Sequence, residues 1–156
     1  MSNDRAKDRA KDRRAARVLV VDQDGRVLLL HGFDPADPAH PFWITVGGGI
    51  DAGEDAAQAA SRELREETGI AAQPESLGDP VWHREIEFSF DGTQYRQAET
   101  YFLLRVGHGP VSLDDLDDIE KETVDGYGWW SPEELESAGE PFFPPQLPQL
   151  LREFGR

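Results

Sequence analysis

The chain has no cysteine among its 156 residues. This rules out a disulfide framework, a thiolate nucleophile and any sulfur-ligated zinc, and it makes a reducing cytoplasm the expected location. Long apolar runs are also missing. No stretch approaches the ~20 apolar residues of a membrane span, and none has the form of a secretory signal core, so no membrane partner is expected. Basic residues are scarce, with 16 Lys and Arg against 31 Asp and Glu, and the net charge is −15. Residues 1–14 hold six basic and three acidic side chains, a local +3, which leaves −18 on the remainder. Such a body disfavours duplex nucleic acid as a partner, because phosphate contacts need Lys and Arg. An anionic substrate must then arrive with metal ions or meet local arginines. No repeat of domain size is present. With 38% hydrophobic residues, residues 15–156 are expected to form one domain that buries its own core. Residues 1–14, built on a repeated Asp-Arg-Ala-Lys with almost no apolar face, are expected to be a charged, disordered tail. A homodimer is compatible with this composition.

What is present is concentrated between Gly47 and Ile70. Three glycines, Gly47 to Gly49, let the backbone turn sharply and approach an anion closely. The Ala-rich segment from Asp55 to Thr68 reads as a helix stopped at Gly69 by a left-handed cap. On it Glu63, Glu66 and Glu67 stand at i, i+3 and i+4, so their carboxylates share one face. The plainer alternative is a solvated face in which Arg62 pairs with Glu66. Against it, Glu63 and Glu67 are like charges one turn apart, an arrangement that costs rather than gains. Ala56, Ala59 and Ala60 extend the stripe with small residues that leave room for a loop and a ligand. Three hard oxygen ligands beside a glycine loop suit Mg²⁺ or Mn²⁺ carrying a polyphosphate.

Elsewhere, Arg17–Val21 and Arg26–Leu30 flank Asp22-Gln23-Asp24-Gly25 as a hairpin. Gly32 to Pro41, with three prolines, reads as an exposed loop that leads into a short strand over Phe42–Val46. Val81–Phe90 and Tyr95–Val106 flank Asp91-Gly92 as a second hairpin, the latter with both faces largely buried. Ser112–Asp125 reads as an acidic loop or short turn, and Tyr127–Trp130 as a strand. Ser131-Pro132 opens a helix with Ser at the N-cap, and Gln146–Phe154 forms a last amphipathic helix. Strands predominate, with helices after the glycine loop and near the end, which implies an α/β/α sandwich with a mixed sheet between helices.

The run G-x5-E-x7-R-E-L-x-E-E-x-G-I from Gly48 through Glu54, Arg62, Glu63, Glu66, Glu67 and Gly69 to Ile70 is a complete Nudix box. The chain therefore resembles the Nudix (MutT-like) hydrolases, with weaker similarity from about Arg17 to the C-terminus. The resemblance implies the Nudix fold and metal-dependent cleavage of a phosphoanhydride bond. It also implies Mg²⁺ or Mn²⁺ on Glu66 and Glu67, with Glu63 holding the metal or polarising its water and the Gly47 carbonyl completing the shell. Arg62 is then expected to orient the glutamates, and Glu54 to bond the loop backbone. A further glutamate often precedes the late Trp-containing strand in the family, as ligand or general base. Glu120 and Glu122 are the candidates here, with Glu120 favoured on the expectation that Ile119 anchors it inward. Val46 replaces a frequent Pro, which softens the turn and bears on substrate fit more than on chemistry.

Recognition is expected from Gly48 and Gly49 and from Arg84, Tyr95, Arg96 and Gln97 around the central hairpin. There arginine offers a bidentate fork to phosphate and an aromatic ring can stack on a base. Trp43, Trp82, Trp129 and Trp130 are expected to pack. His31, His40, His83 and His108 show no metal-ligand spacing. The expected substrate is a small nucleoside diphosphate linked to another moiety, or a nucleoside triphosphate. Glu85 and Glu87 stand where ADP-ribose-type and diadenosine-polyphosphate-type members carry Pro and Tyr, and no coenzyme A motif is evident. The alternative from another class is an inert Nudix-fold module that binds a nucleotide or a partner, which would be marked by a lost box carboxylate. None is lost. Isoprenyl diphosphate isomerisation on this fold uses a Cys, which the chain lacks.

Overall fold

A computed structural model describes residues 10–107 and 109–155. Its organising element is β1, Lys11–Val21, in which every residue from Ala15 onward is buried. A strand apolar on both sides needs cover on both faces, and alternation supplies two cores. Ala16, Val18 and Val20 face one core with Ala59, Ala60 and Leu64 of the box helix. Leu19 and Val21 face the other with Leu135, Leu147, Leu150 and Leu151 near the C-terminus. These are the two outer layers of the α/β/α sandwich.

β1 turns at Asp22, whose Oδ1 accepts from the backbone N–H of Asp24 and Arg26, both at 2.9 Å. β2 (Val27–Asp34) and β3 (Asp37–Gly49) follow as an antiparallel pair. The segment expected as a proline-rich loop is instead continuous hairpin, closed by a tight turn in which Asp34 Oδ1 accepts from Ala36 N–H at 2.9 Å. Pro35 sits in the turn itself and Pro38 in the exposed stretch 37–40, where a missing donor costs little because it faces solvent. β4 (Trp82–Phe90) and β5 (Thr93–Arg105) form the expected second hairpin, with Asp91 and Gly92 both at positive φ. β5 runs parallel to β1 from Lys11↔Tyr95 to Val21↔Arg105. The expected tail therefore ends too late: Lys11–Arg14 already belong to β1, held by that parallel ladder. Residues 1–9 lie outside the described residues.

β3 is shared along its length. Its first part pairs with β2, and Val46–Gly49 switch to β1. The sheet curls accordingly, and the two hairpin tips meet where Asp91 N–H donates to Asp34 Oδ1 at 2.8 Å. The box helix α1 spans Ala56–Thr68, with Asp55 and Gln58 forming a capping box and Gly69 at φ 76° ending it. The acidic segment expected as a loop contains a helix, α2 (Asp118–Thr123), capped by Asp117, which accepts from Glu120 N–H. β6 (Val124–Trp130) pairs with β2. α3 (Pro132–Glu136) starts at Ser131 as expected, β7 (Phe142–Phe143) pairs with β3, and α4 (Leu147–Phe154) closes the chain. No helix among the described residues is long and apolar enough to cross a membrane.

Candidate active site

The site is built where β3 leaves the sheet and α1 begins. Gly47 has φ 141°, outside the range that side chains adopt comfortably, and a Cβ there would lie 2.3 Å from the Ala16 carbonyl. Its N–H donates to Glu67 Oε1 at 2.6 Å, and its carbonyl accepts from Arg17 Nη1 at 3.1 Å. A Cβ on Gly48 would lie 2.7 Å from the Glu63 carboxylate, and one on Gly49 would lie 2.9 Å from Arg13 Nη2. The loop is thus glycine because its own site side chains lie against the backbone.

Arg62 spends its donors inside the loop and helix. Nε and Nη2 grip Glu54 at 2.8 and 2.9 Å, Nη1 reaches Glu63 at 2.8 Å and Glu66 at 3.4 Å, and Nη2 also reaches the Gly49 carbonyl at 3.0 Å. Glu54 in turn accepts from Asp51 N–H at 2.9 Å, and the hydrogen bonds from Arg62 hold its carboxyl below the ordinary value. Arg62 therefore ties the loop to the helix and aims two of the glutamates.

Glu63, Glu66 and Glu120 each bring one carboxylate oxygen into a group spanning at most 4.8 Å. Glu67, 4% exposed, lies behind them between Gly47 and Glu120. Burial pushes the Glu63 carboxyl up, with the Glu120 and Glu66 charges adding and Arg62 opposing. Glu67 lies well above the usual carboxylate range, first from burial and then from its hydrogen bond to Glu120. Glu120 is raised as well, by burial and then by Asp117. Carboxylates driven toward protonation by burial and mutual repulsion are a group whose ionised form calls for a cation. All-oxygen donors at this spacing fit Mg²⁺ or Mn²⁺. The trio differs from the expected set, since Glu120 converges with Glu63 and Glu66 while Glu67 is turned to the glycine backbone.

α2 also separates the two loop candidates. Residues two apart on a helix point to nearly opposite sides. Glu120 accordingly faces the cluster and Glu122 is exposed. The expected Ile119 anchor does not exist, because Ile119 is 67% exposed. The inward hold comes from buried Leu116 and Thr123 and from the Asp117 cap.

On the sheet face opposite α1 lies a buried polar network. Glu99, 3% exposed, accepts from Arg84, from Gln97 at 2.8 Å and from Tyr101 at 2.9 Å, with Arg17 Nε 3.5 Å away. Burial pushes Glu99 up, and Arg17 and Arg84 outweigh it, so the carboxyl sits below its ordinary value. Arg13 donates to Gln97 at 2.9 Å and lies over the Tyr95 ring, which stacks on Phe88. Arg84, Tyr95 and Gln97 are thus brought together. Arg96 is not: it faces the other side of β5, 3.4 Å from Asp12. Arg13, Arg17 and Glu99 were missed in the sequence. Their signal was the odd-numbered alternation of polar residues along Arg13, Arg17, Gln97 and Glu99, visible only once β1 and β5 are known to be neighbours.

His31 lies outside the cluster, with Nδ1 2.5 Å from Asp125 and Nε2 3.0 Å from Glu140. Trp43 and Trp130 pack edge to face, as expected of core aromatics, and Trp82 packs on Tyr101. His108 lies outside the described residues.

Comparison with known proteins places this geometry. The NUDIX domain profile matches residues 11–154. The chain belongs to the Nudix family. An RNA pyrophosphohydrolase of Sphingopyxis alaskensis is 33% identical over 95% of this chain and 96% of its own length. The dihydroneopterin triphosphate diphosphatase of Escherichia coli is 36% identical over 58% of this chain and 64% of its own. The solved structure of the E. coli dihydroneopterin triphosphate pyrophosphohydrolase superposes with a TM-score of 0.65 at 25% identity, covering 93% of this chain and 96% of that one. The fold is the Nudix fold, and the chain is a Nudix hydrolase.

Proposed function

We propose that this Nudix hydrolase cleaves a phosphoanhydride bond in a small nucleotide, with Mg²⁺ or Mn²⁺ held by Glu63, Glu66 and Glu120. The convergence of those three carboxylates from two separate helices carries the reading. Bound there, a divalent cation would neutralise phosphate charge and lower the pKa of a coordinated water. Arg62 keeps Glu63 and Glu66 aimed. We assign the proton of the attacking water to Glu120, which also hydrogen-bonds Glu67, with Glu67 able to share it. The Gly47 carbonyl, which accepts from Arg17, has a second lone pair that would be available to the metal.

On the opposite sheet face, Arg13 lies between the glycine loop and the Tyr95–Phe88 stack. A guanidinium next to an aromatic platform suits a phosphate carrying a planar base. The net −18 outside residues 1–14 favours a small triphosphate over an RNA chain, and a triphosphate is the substrate for which the related dihydroneopterin triphosphate diphosphatase is named. Phosphate and pyrophosphate release should be screened over nucleoside triphosphates, oxidised nucleotides, ADP-ribose and nucleotide sugars with each metal. We expect pyrophosphate from a triphosphate. No turnover of any of these with either metal would sink the reading and leave the inert binding module.

A further inference from the structure

We propose that Arg17 is a positioning residue for the glutamate cluster, clamping the Gly47 peptide from the sheet face opposite to the one on which Glu67 receives it. The inference rests on the proposed metal-dependent hydrolase and adds to it a residue that lies outside the Nudix box. Arg17 stands directly across from Gly47 in the β1–β3 ladder. Its stem occupies the space a side chain at position 47 would need, since a Cβ there would lie 2.7 Å from Arg17 Cα and 2.8 Å from Cδ. Arg17 Nη1 then bridges two carbonyls of β3, Thr45 and Gly47, each at 3.1 Å. On the other side of the sheet, Gly47 N–H donates to Glu67. One glycine residue is thus held between a buried cation and a buried carboxylate.

The electrostatics explain why an arginine is needed. Arg17 is 8% exposed; among the described residues its Nε has no hydrogen-bond partner, and its counter-charge is Glu99 at 3.5 Å. Glu99 is itself held by Arg84, Gln97 and Tyr101. A charge this buried costs free energy to keep, so a lone carbonyl contact would not explain it. Guanidinium geometry lets one group satisfy two backbone carbonyls and still lie beside a carboxylate, which a lysine ammonium at the same place cannot match. The arrangement transmits the polar network of β4, β5 and β1 to Glu67, and through Glu67 to Glu120.

Two variants test this in the full chain. Arg17→Lys keeps the charge but has one nitrogen where the arginine uses two, Nη1 on the β3 carbonyls and Nε beside Glu99. Arg17→Met combined with Glu99→Gln removes the buried pair as a unit, so no carboxylate is orphaned. Both are checked for folding by melting temperature, then read by Mn²⁺ titration followed by electron paramagnetic resonance, by exchange of the Gly47 amide, and by kcat and KM on the best substrate of the wild type. The expected result is weaker Mn²⁺ binding by about 10- to 100-fold, the scale for groups that orient metal ligands. Faster Gly47 exchange and a lowered kcat with KM little changed should accompany it. Wild-type Mn²⁺ affinity, amide protection and kcat in folded Arg17→Lys would overturn the inference, as would a rise in KM alone, which would make Arg17 a substrate contact. A wild-type chain that binds no Mn²⁺ would instead reject the proposed function. The Gly47 amide would still report on the clamp in that case.

Discussion

Glu120 and Glu122 carry the same carboxylate, and α2 gives them different chemistry. Glu120 meets Glu63, Glu66 and Glu67, whereas Glu122 faces solvent. Glu120→Gln should therefore lower kcat by about 10²–10³-fold, the scale for losing a positioned electrostatic partner, while Glu122→Gln leaves kcat at the wild-type level. Reversed behaviour, measured on any substrate of the wild type, would reassign the role. Glu67→Gln should also lower kcat at least ~100-fold without unfolding the protein. The amide oxygen can still accept from Gly47 N–H, and an amide beside Glu120 replaces a carboxyl that burial already disfavours as an anion. Equal melting temperatures alongside unequal turnover would verify both halves.

Elements meet around β2. Gly32 lets the end of α2 pass over the strand, because a Cβ there would lie 2.6 Å from the Thr123 carbonyl. Gly32→Ala should cost about 1–3 kcal/mol by overpacking. It should also depress kcat, since the displaced helix carries Glu120; thermal melts and kinetics read the two effects separately. Next to it, His31 joins β2 to Asp125 of β6 and to Glu140 before β7. Burial lowers its pKa, but the bonds to Asp125 and Glu140 outweigh it and the folded value is raised. A raised folded value means the stabilisation is fully present below the unfolded pKa of ~6.5 and is lost as pH rises through the folded pKa. The melting-temperature gap between wild type and His31→Gln should thus be widest in mild acid and narrow above that window. A gap that does not change with pH would dismiss the ionic clamp.

At the scale of the whole molecule, charge and chain ends dominate. A body of −18 with buried carboxylates should be stabilised by a cation that binds only the folded state, by about 2.7 kcal/mol at 100 times Kd. Melting temperature should accordingly rise with Mn²⁺ and fall back with chelator in the wild type, and should respond little in Glu66→Gln. Truncation is informative because β1 begins at Lys11. Removing residues 1–9 should leave stability unchanged, whereas removing residues 1–13 takes away ladder pairs with β5 and the Arg13–Gln97 bond. The longer deletion should lower both melting temperature and kcat/KM.

The sequence alone determined what rests on local spacing. The helix from Asp55 to the Gly69 cap, the Asp91-Gly92 hairpin, the Ser131 cap and the shared face of Glu63, Glu66 and Glu67 all follow from turn chemistry and helical periodicity within one segment. Tertiary structure decided whatever depends on which segments are neighbours. β1 captures Lys11–Arg14 because parallel β5 offers them a ladder, which the charged composition of those residues hid. The Pro-rich segment stays in a hairpin because β2 pairs with it. Arg17, Arg13 and Glu99 acquire meaning only when β1, β3 and β5 lie side by side. Glu120 joins the glutamates of α1 because a capped turn of helix, not the exposed Ile119, turns it inward. Propensity and spacing act over a few residues, while a buried charge finds its partner through the fold, and the partners of Glu67 lie on β3 and α2.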